Sequence, residues 1–319
     1  MTEPNGKDDG NWQKDLVTKL ASAALREQRR ARLWGIFFKL LTFAYVTFIL
    51  LTVYDWRGRA DMAGGKKHTA LVELNGLIAP GNDGSAEKIN SSLQAAFKDK
   101  NTQGVVLKIN SPGGSPVQSQ TIYDEMKRLR KKYPEIPLYV VVEDICASGG
   151  YFVAAGADRI YVSKSSIVGS IGVLMNGFGF TGLMDKLGVD RRLITAGENK
   201  GMLDPFSPVQ ERDVEHAKKL VGDIHQQFIA VVREGRGKRL KETPDMFTGL
   251  IWTGQMSIEL GLADGLGSLD SVARDVIKAE EIVDFSQKEN IAEKFARRFG
   301  ASAANTVVEA LLRASPALR

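Results

Sequence analysis

PLYVVVEDICASGGYFVAA, Pro137 to Ala155, joins two kinds of structure in one run. Its first part, Pro137–Asp144, is rich in β-branched and aliphatic residues, the composition of a buried strand. The small residues from Gly149 to Ala157 read as a short helix. Between them, Ala147-Ser148-Gly149-Gly150 is a turn whose small neighbours clear space around the Ser148 side chain. A strand that passes through a glycine turn into a helix is the repeating unit of α/β architecture.

The same grammar extends in both directions. Upstream, HTALVELNGLI reads as a strand ending in a turn at Pro80–Gly84, and Glu87–Lys98 has helical spacing. GVVLKIN, Gly104–Asn110, is a second buried strand, and it runs into SPGGS. Ser119–Lys132 follows as a helix with Ile122, Met126 and Leu129 on one face, closed by Pro134. Downstream, RIYVSK is a strand, and Pro208–Arg236 a long helix with apolar Val214, Leu220, Ile224, Phe228 and Val231. His216 and His225 fall on or near that helix and read as polar-face residues. Strands alternating with helices, with no internal repeat, predict an α/β domain with mainly parallel strands.

Composition narrows the function classes. The chain has 319 residues, 43% hydrophobic and 25% charged, with a net charge of +5. Acidic residues are spread throughout, and no zinc-finger spacing or aromatic-basic interleaving is present, so no nucleic-acid partner is expected. Cys146 is the sole cysteine, which excludes an intrachain disulfide. Three histidines without an HExxH or CxxC pattern give no basis for a metal, and no cofactor is expected.

Near the N-terminus, LWGIFFKLLTFAYVTFILLTVYDW, Leu33–Trp56, predicts a retained transmembrane helix. Its uninterrupted apolar part, Leu40–Tyr54, spans only about 22 Å. Adding Leu33–Phe38 gives about 33 Å and places Lys39 where its stem can snorkel toward the headgroups. Trp34, Tyr54 and Trp56 bracket the segment as interfacial anchors. Arg26, Arg29, Arg30 and Arg32 crowd the front flank, which puts the N-terminus in the cytoplasm and the main domain outside. The expected organisation is a polar segment 1–32, an anchor 33–56, a linker 57–68, a main α/β domain 69–285 and an amphipathic tail 286–319. The tail holds IAEKFARRF and NTVVEALLRA, for which contact with a membrane surface, packing against a neighbouring subunit and loose disorder are the alternatives.

Two turns end apolar strands, NSPGG at Asn110–Gly114 and CASGG at Cys146–Gly150. Open α/β sheets bind ligands beyond the carboxyl ends of their strands, where helix N-termini also leave amides unsatisfied. Two such amides converging, from Gly114 and Gly149, make an oxyanion hole. GFGFTG, Gly177–Gly182, matches a dinucleotide turn loosely but follows no convincing strand. If Ser148 is a nucleophile it needs a base. Histidine is poorly placed, and a lysine serves only when neutral. An ordinary lysine is about one part in a thousand neutral at pH 7, so burial must lower its pKa by about three pH units. Lys108, Lys164, Lys186 and Lys200 all remain open for that role.

From about residue 70 to 275 the chain resembles the signal peptide peptidase A family, membrane-anchored serine proteases of the Clp/crotonase fold group. Four motifs carry the resemblance in order and spacing: VVLKINSPGGS (Val105–Ser115), DICASGGYFVAAGADRIYV (Asp144–Val162), SIVGSIGVL (Ser166–Leu174) and ENKGMLDPFSP (Glu198–Pro208). The resemblance implies Ser148 as nucleophile, Lys200 as general base, Ser170 as the hydroxyl that orients the amine, and Gly114 and Gly149 as oxyanion donors. It gives Asp204 and Pro205 a structural turn. It implies cleavage of remnant signal peptides at the bacterial cytoplasmic membrane by a homo-oligomeric ring of about eight copies, with Lys200 supplied by the adjacent copy. Crotonase-like acyl-CoA chemistry and a non-catalytic membrane-anchored scaffold are the alternatives on the same fold.

Overall fold

The computed structural model describes residues 9–62 and 66–287. It divides into two units, residues 1–65 and the remainder. The first unit is one helix, α1 (Asp9–Met62), so the helical backbone continues into the stretch read as linker. Within α1, Leu16–Ile49 is long and apolar enough to cross a membrane by length and composition. Its apolar side chains, among them Leu33, Phe37 and Phe43, are exposed. The side chains of Tyr54 and Trp56, and the tail from residue 288, lie outside the described residues.

The second unit is built on a sheet. Its first strands are β1 (His68–Asn75), β2 (Thr102–Ser111) and β3 (Leu138–Ala147). They pair in parallel, with β2 between β1 and β3. The helix α2 (Ala86–Lys98) connects β1 to β2, and α3 (Pro116–Lys132) connects β2 to β3. Val105, Val106 and Leu107 are fully buried in succession, because both faces of the central strand are covered. On one face Leu93, Phe97, Ile122, Met126 and Leu129 pack against Val105, Leu107, Val140 and Val142. Burying each such side chain contributes about 1.5–3 kcal/mol. A smaller cluster of Val106, Val141, Tyr161 and Val272 fills the other face.

Helix α3 begins where its sequence dictates. The Ser115 hydroxyl accepts from Gln118 N–H at 3.4 Å, and Pro116 occupies the first turn, where its missing N–H costs nothing. The helix ends at Tyr133, just before Pro134, with three basic residues in its last turn.

Strand β3 divides its partners. Tyr139–Val141 pair in parallel with β4 (Arg159–Val162), and Ile145–Ala147 with β5 (Ile167–Gly169). The antiparallel neighbour of β5 is β6 (Ile251–Thr253), while β7 (Gly265–Leu266) adds to β4 and β8 (Ile282–Asp284) to β1. This mixed, mostly parallel eight-stranded sheet agrees with the α/β expectation. After β3 comes α4 (Gly149–Ala154), shorter than the stretch read as helix. Between β5 and the long α6 (Glu211–Arg236) lies an irregular arm with one short helix, α5 (Thr181–Leu187). The arm exposes Leu174, Phe178, Leu187 and Ile194, the last almost wholly.

Candidate active site

Ser148 stands at the joint between β3 and α4, with φ 50° and ψ −123°. A non-glycine residue in that region costs about 1–3 kcal/mol and persists only where its surroundings enforce it. Here Ser148 N–H donates to Gly169 O at 2.9 Å, and Ser148 O accepts from Phe152 N–H at 3.0 Å. Fully buried Tyr151 fixes α4 from below, its hydroxyl donating to Leu262 O at 2.8 Å. The sharp strand-to-helix turn presents the serine side chain beyond the sheet.

The NSPGG turn meets this joint from β2. A Cβ at Gly113, where φ is 100°, would lie 2.6 Å from Gly149 N and 2.8 Å from Ser148 Cβ. Only glycine lets the two turns come this close. At the next residue, Ile78 N–H donates to Gly113 O at 2.9 Å and Ser115 N–H to Ile78 O at 2.8 Å. That parallel bridge turns the Gly114 N–H away from Ile78, toward the Gly149 side. The Gly149 N–H is the first amide of α4 and has no intrahelical acceptor. A Cβ at Gly149 would sit 3.2 Å from Gly114 N and 2.5 Å from Ser119 Oγ. Neighbouring protein atoms exclude a side chain at Gly149 and also at Gly114, where a Cβ would meet Ile78 O.

Gly114, Ser148, Gly149 and Ser170 line one cleft of about 730 Å³. Its walls are mainly apolar, from Val117 on α3, Phe152 on α4, Val173 and Leu174 at the root of the arm, and Ile224 and Phe228 on α6. Ser170 also has positive φ, 51°, and its N–H donates to Leu250 O at 2.7 Å. His225 contributes here in a way that polar-face spacing did not suggest. Its Nε2 lies 3.2 Å from Ile171 O and pins the turn that carries Ser170. His216 is exposed, as expected.

The four candidate lysines separate. Lys108 Nζ lies 2.7 Å from Glu73 and 3.0 Å from Glu143, carboxylates on the two adjacent strands. Burial works against its charge, but the hydrogen bonds to Glu73 and Glu143 outweigh it and raise its pKa above the ordinary lysine value. Lys108 therefore holds its proton and is no base. Lys164 and Lys186 are exposed and do not line the cleft. Lys200 is also exposed, in a turn of the arm where its N–H donates to Gly197 O at 3.1 Å. Within one chain it does not line the Ser148 cleft. Cys146, two residues before Ser148, is fully buried, and burial pushes its thiol pKa up. Among the described residues no His, Cys, Asp and Glu cluster suits a metal ion.

Comparison with known proteins adds to this geometry. Residues 130–283 match the family model of Peptidase family S49, and residues 72–168 that of Clp protease. The chain is 31% identical over 232 residues to a putative signal peptide peptidase SppA of Enterococcus faecium, covering 70% of this chain and 67% of that protein. It is 31% identical over 256 residues to a putative protease of Methanocaldococcus jannaschii, covering 76% and 81%. It is also 44% identical over 209 residues to a protein of Brucella abortus named Na(+)/H(+) antiporter NhaA, covering 64% of this chain. The match spans only 28% of that protein's length, and the same holds for its Brucella melitensis counterpart.

Proposed function

The chain belongs to peptidase family S49, and from that premise we propose that it is a membrane-anchored serine endopeptidase in which Ser148 is the nucleophile and Lys200 its general base. The observation that carries the reading is the convergence of a strained, cleft-facing serine with two unspent glycine amides. The neutral Lys200 amine takes the proton of Ser148 as Oγ attacks the scissile carbonyl. The Gly114 and Gly149 amides hold the resulting oxyanion, each donor being worth about 3–4 kcal/mol of barrier. The tetrahedral species collapses, the C–N bond breaks, and the proton held by Lys200 goes to the leaving amine. Water, deprotonated by the same lysine, then hydrolyses the acyl-serine and returns the enzyme. Ser170 accepts from or donates to the lysine amine and sets its direction.

Lys200 comes from a neighbouring copy in this reading. The arm that bears it is exposed and rich in uncovered apolar side chains, while among the described residues no basic side chain lines the Ser148 cleft. Docking of the arm on a second copy answers both features and strips the amine of water, in a head-to-tail ring of about eight copies. The apolar cleft suits extended apolar peptides, and remnant signal peptides are the substrate class. With α1 spanning the cytoplasmic membrane and its arginine-rich front inside, the domain works on the outer side, close to such peptides in the lipid.

Labelling the full chain with a fluorophosphonate and mapping the adduct tests the assignment. The adduct is expected on Ser148, with Ser148→Ala unlabelled and Lys200→Ala labelled more than about a hundredfold more slowly. Labelling elsewhere, or full peptide cleavage by Ser148→Ala, contradicts it.

A further inference from the structure

The arm has no core of its own to fix its shape, since residues 191–200 are all exposed. What closes it is a cluster around one carboxylate. Asp204 Oδ2 accepts from the Ser207 hydroxyl at 2.6 Å and lies 3.4 Å from Arg191 Nε. Asp204 N–H donates to Gly201 O at 3.1 Å, and Asp204 O accepts from Ser207 N–H at 3.2 Å. Beside it, Phe180 N–H donates to Pro205 O at 2.7 Å, and the Phe180 and Phe206 rings stack at 5.4 Å with the Arg191 guanidinium 6.0 Å from the Phe206 ring. At the tip, a Cβ on Gly201 would come within 2.8 Å of Leu193. Lys200 sits inside the loop closed by Arg191 and Asp204. Leu203, next to the carboxylate, is held at φ 56°.

We infer that Asp204 is a positioning residue for Lys200: by clasping Arg191 and Ser207 it fixes the tip of the arm in the conformation that delivers the amine. The inference deepens the proposed function and rests on its assignment of Lys200. Every polar contact of Asp204 lies within the arm, between Arg191 and Ser207. Loosening the clasp therefore frees the lysine while leaving the sheet and the Ser148 turn intact. Misplacement of a reacting group by an ångström costs up to about a hundredfold in rate, so the effect falls on the chemical step.

The test is the rate of Ser148 labelling by a fluorophosphonate in the full-length chain, together with the final fraction labelled and the kcat and KM for a peptide. Asp204→Ala is expected to slow labelling by about ten- to a hundredfold, with the final fraction and KM unchanged and kcat reduced in step. Ser207→Ala, which removes only the shorter hydrogen bond, is expected to slow it less. Labelling of both variants at the parental rate, while Lys200→Ala is slow, overturns the clasp and leaves the lysine standing. A parental rate for Lys200→Ala overturns both. If Asp204→Ala lowers the final fraction labelled, marking loss of folded protein, Ser207→Ala decides: slow labelling with a full end point supports the clasp, and a parental rate overturns it.

Discussion

At the scale of single residues, the space beside Gly149 is a tight constraint on the site. Ser119 Oγ, donating to Ser115 O at 3.0 Å, occupies the position from which a methyl at Gly149 would be repelled. Gly149→Ala must move the amide or the hydroxyl, and we expect kcat to fall at least about a hundredfold, the cost of losing one oxyanion donor. Adding Ser119→Ala to that variant removes the obstructing oxygen and is expected to recover part of the loss, measured as kcat of single and double variants. No recovery would mean that the methyl acts elsewhere. The turn glycines were legible from sequence because SPGG and ASGG follow buried strands. The base was not. Residue spacing left four lysines open and only the family resemblance pointed to Lys200; what disqualifies Lys108 is a register fact: Glu73 lies directly across from it on β1, and Glu143 approaches from β3. Its raised pKa means that this pairing stabilises the fold from above the carboxylate range up to the ordinary lysine value. That stability is lost as pH rises through the still higher folded value.

At the scale of elements, the strands and helices with period and length were readable, and the short ones were not. β2 and β3 announce themselves as runs of β-branched residues, β1 as an apolar stretch before a glycine turn, and α3 by Ile122, Met126 and Leu129. β5 to β8 are two or three residues each, too brief for a period to appear. The arm gave no pattern for a physical reason: it shows its apolar residues to solvent, so no buried stripe sets a period. The segment after α6 is locked to the sheet by charge. Arg236, with its side chain fully buried, donates to Gly261 O at 2.9 Å and to Asp264 Oδ2 at 2.9 Å. Asp264 also accepts from Ile160 N–H at 2.7 Å and from Arg239 at 3.1 Å. Burial opposes the Asp264 charge, but the bond from Arg236 prevails and holds its pKa below the usual aspartate value. This stabilisation is present above the ordinary carboxylate range and is lost as pH falls through the depressed value. Asp264→Asn leaves a buried guanidinium short of its partner and is expected to cost about 3–5 kcal/mol at pH 7 in denaturant unfolding. The penalty should shrink toward pH 3, and a cost independent of pH would contradict the pairing.

At the scale of the whole molecule, the proposed enzyme is a membrane-anchored domain whose site one copy does not complete. The N-terminal apolar helix was legible as apolar length and the α/β class as alternation of strands and helices, while the Clp-like fold came from the motifs that carry the family resemblance. The proposed separation of Lys200 from its serine came from the family resemblance and not from the residues, because spacing along the chain carries no information about which copy a loop will meet. The measurement that bears most directly on this claim mixes Ser148→Ala and Lys200→Ala chains in equal amounts, reassembles them, and compares peptide cleavage with the parental protein. Each variant alone is expected to be inactive. In a random head-to-tail ring half of the copies keep Ser148 and half of their neighbours keep Lys200, so the mixture should recover about a quarter of parental activity. A mixture as inactive as its components would show that serine and lysine must belong to the same chain, and the account would fail.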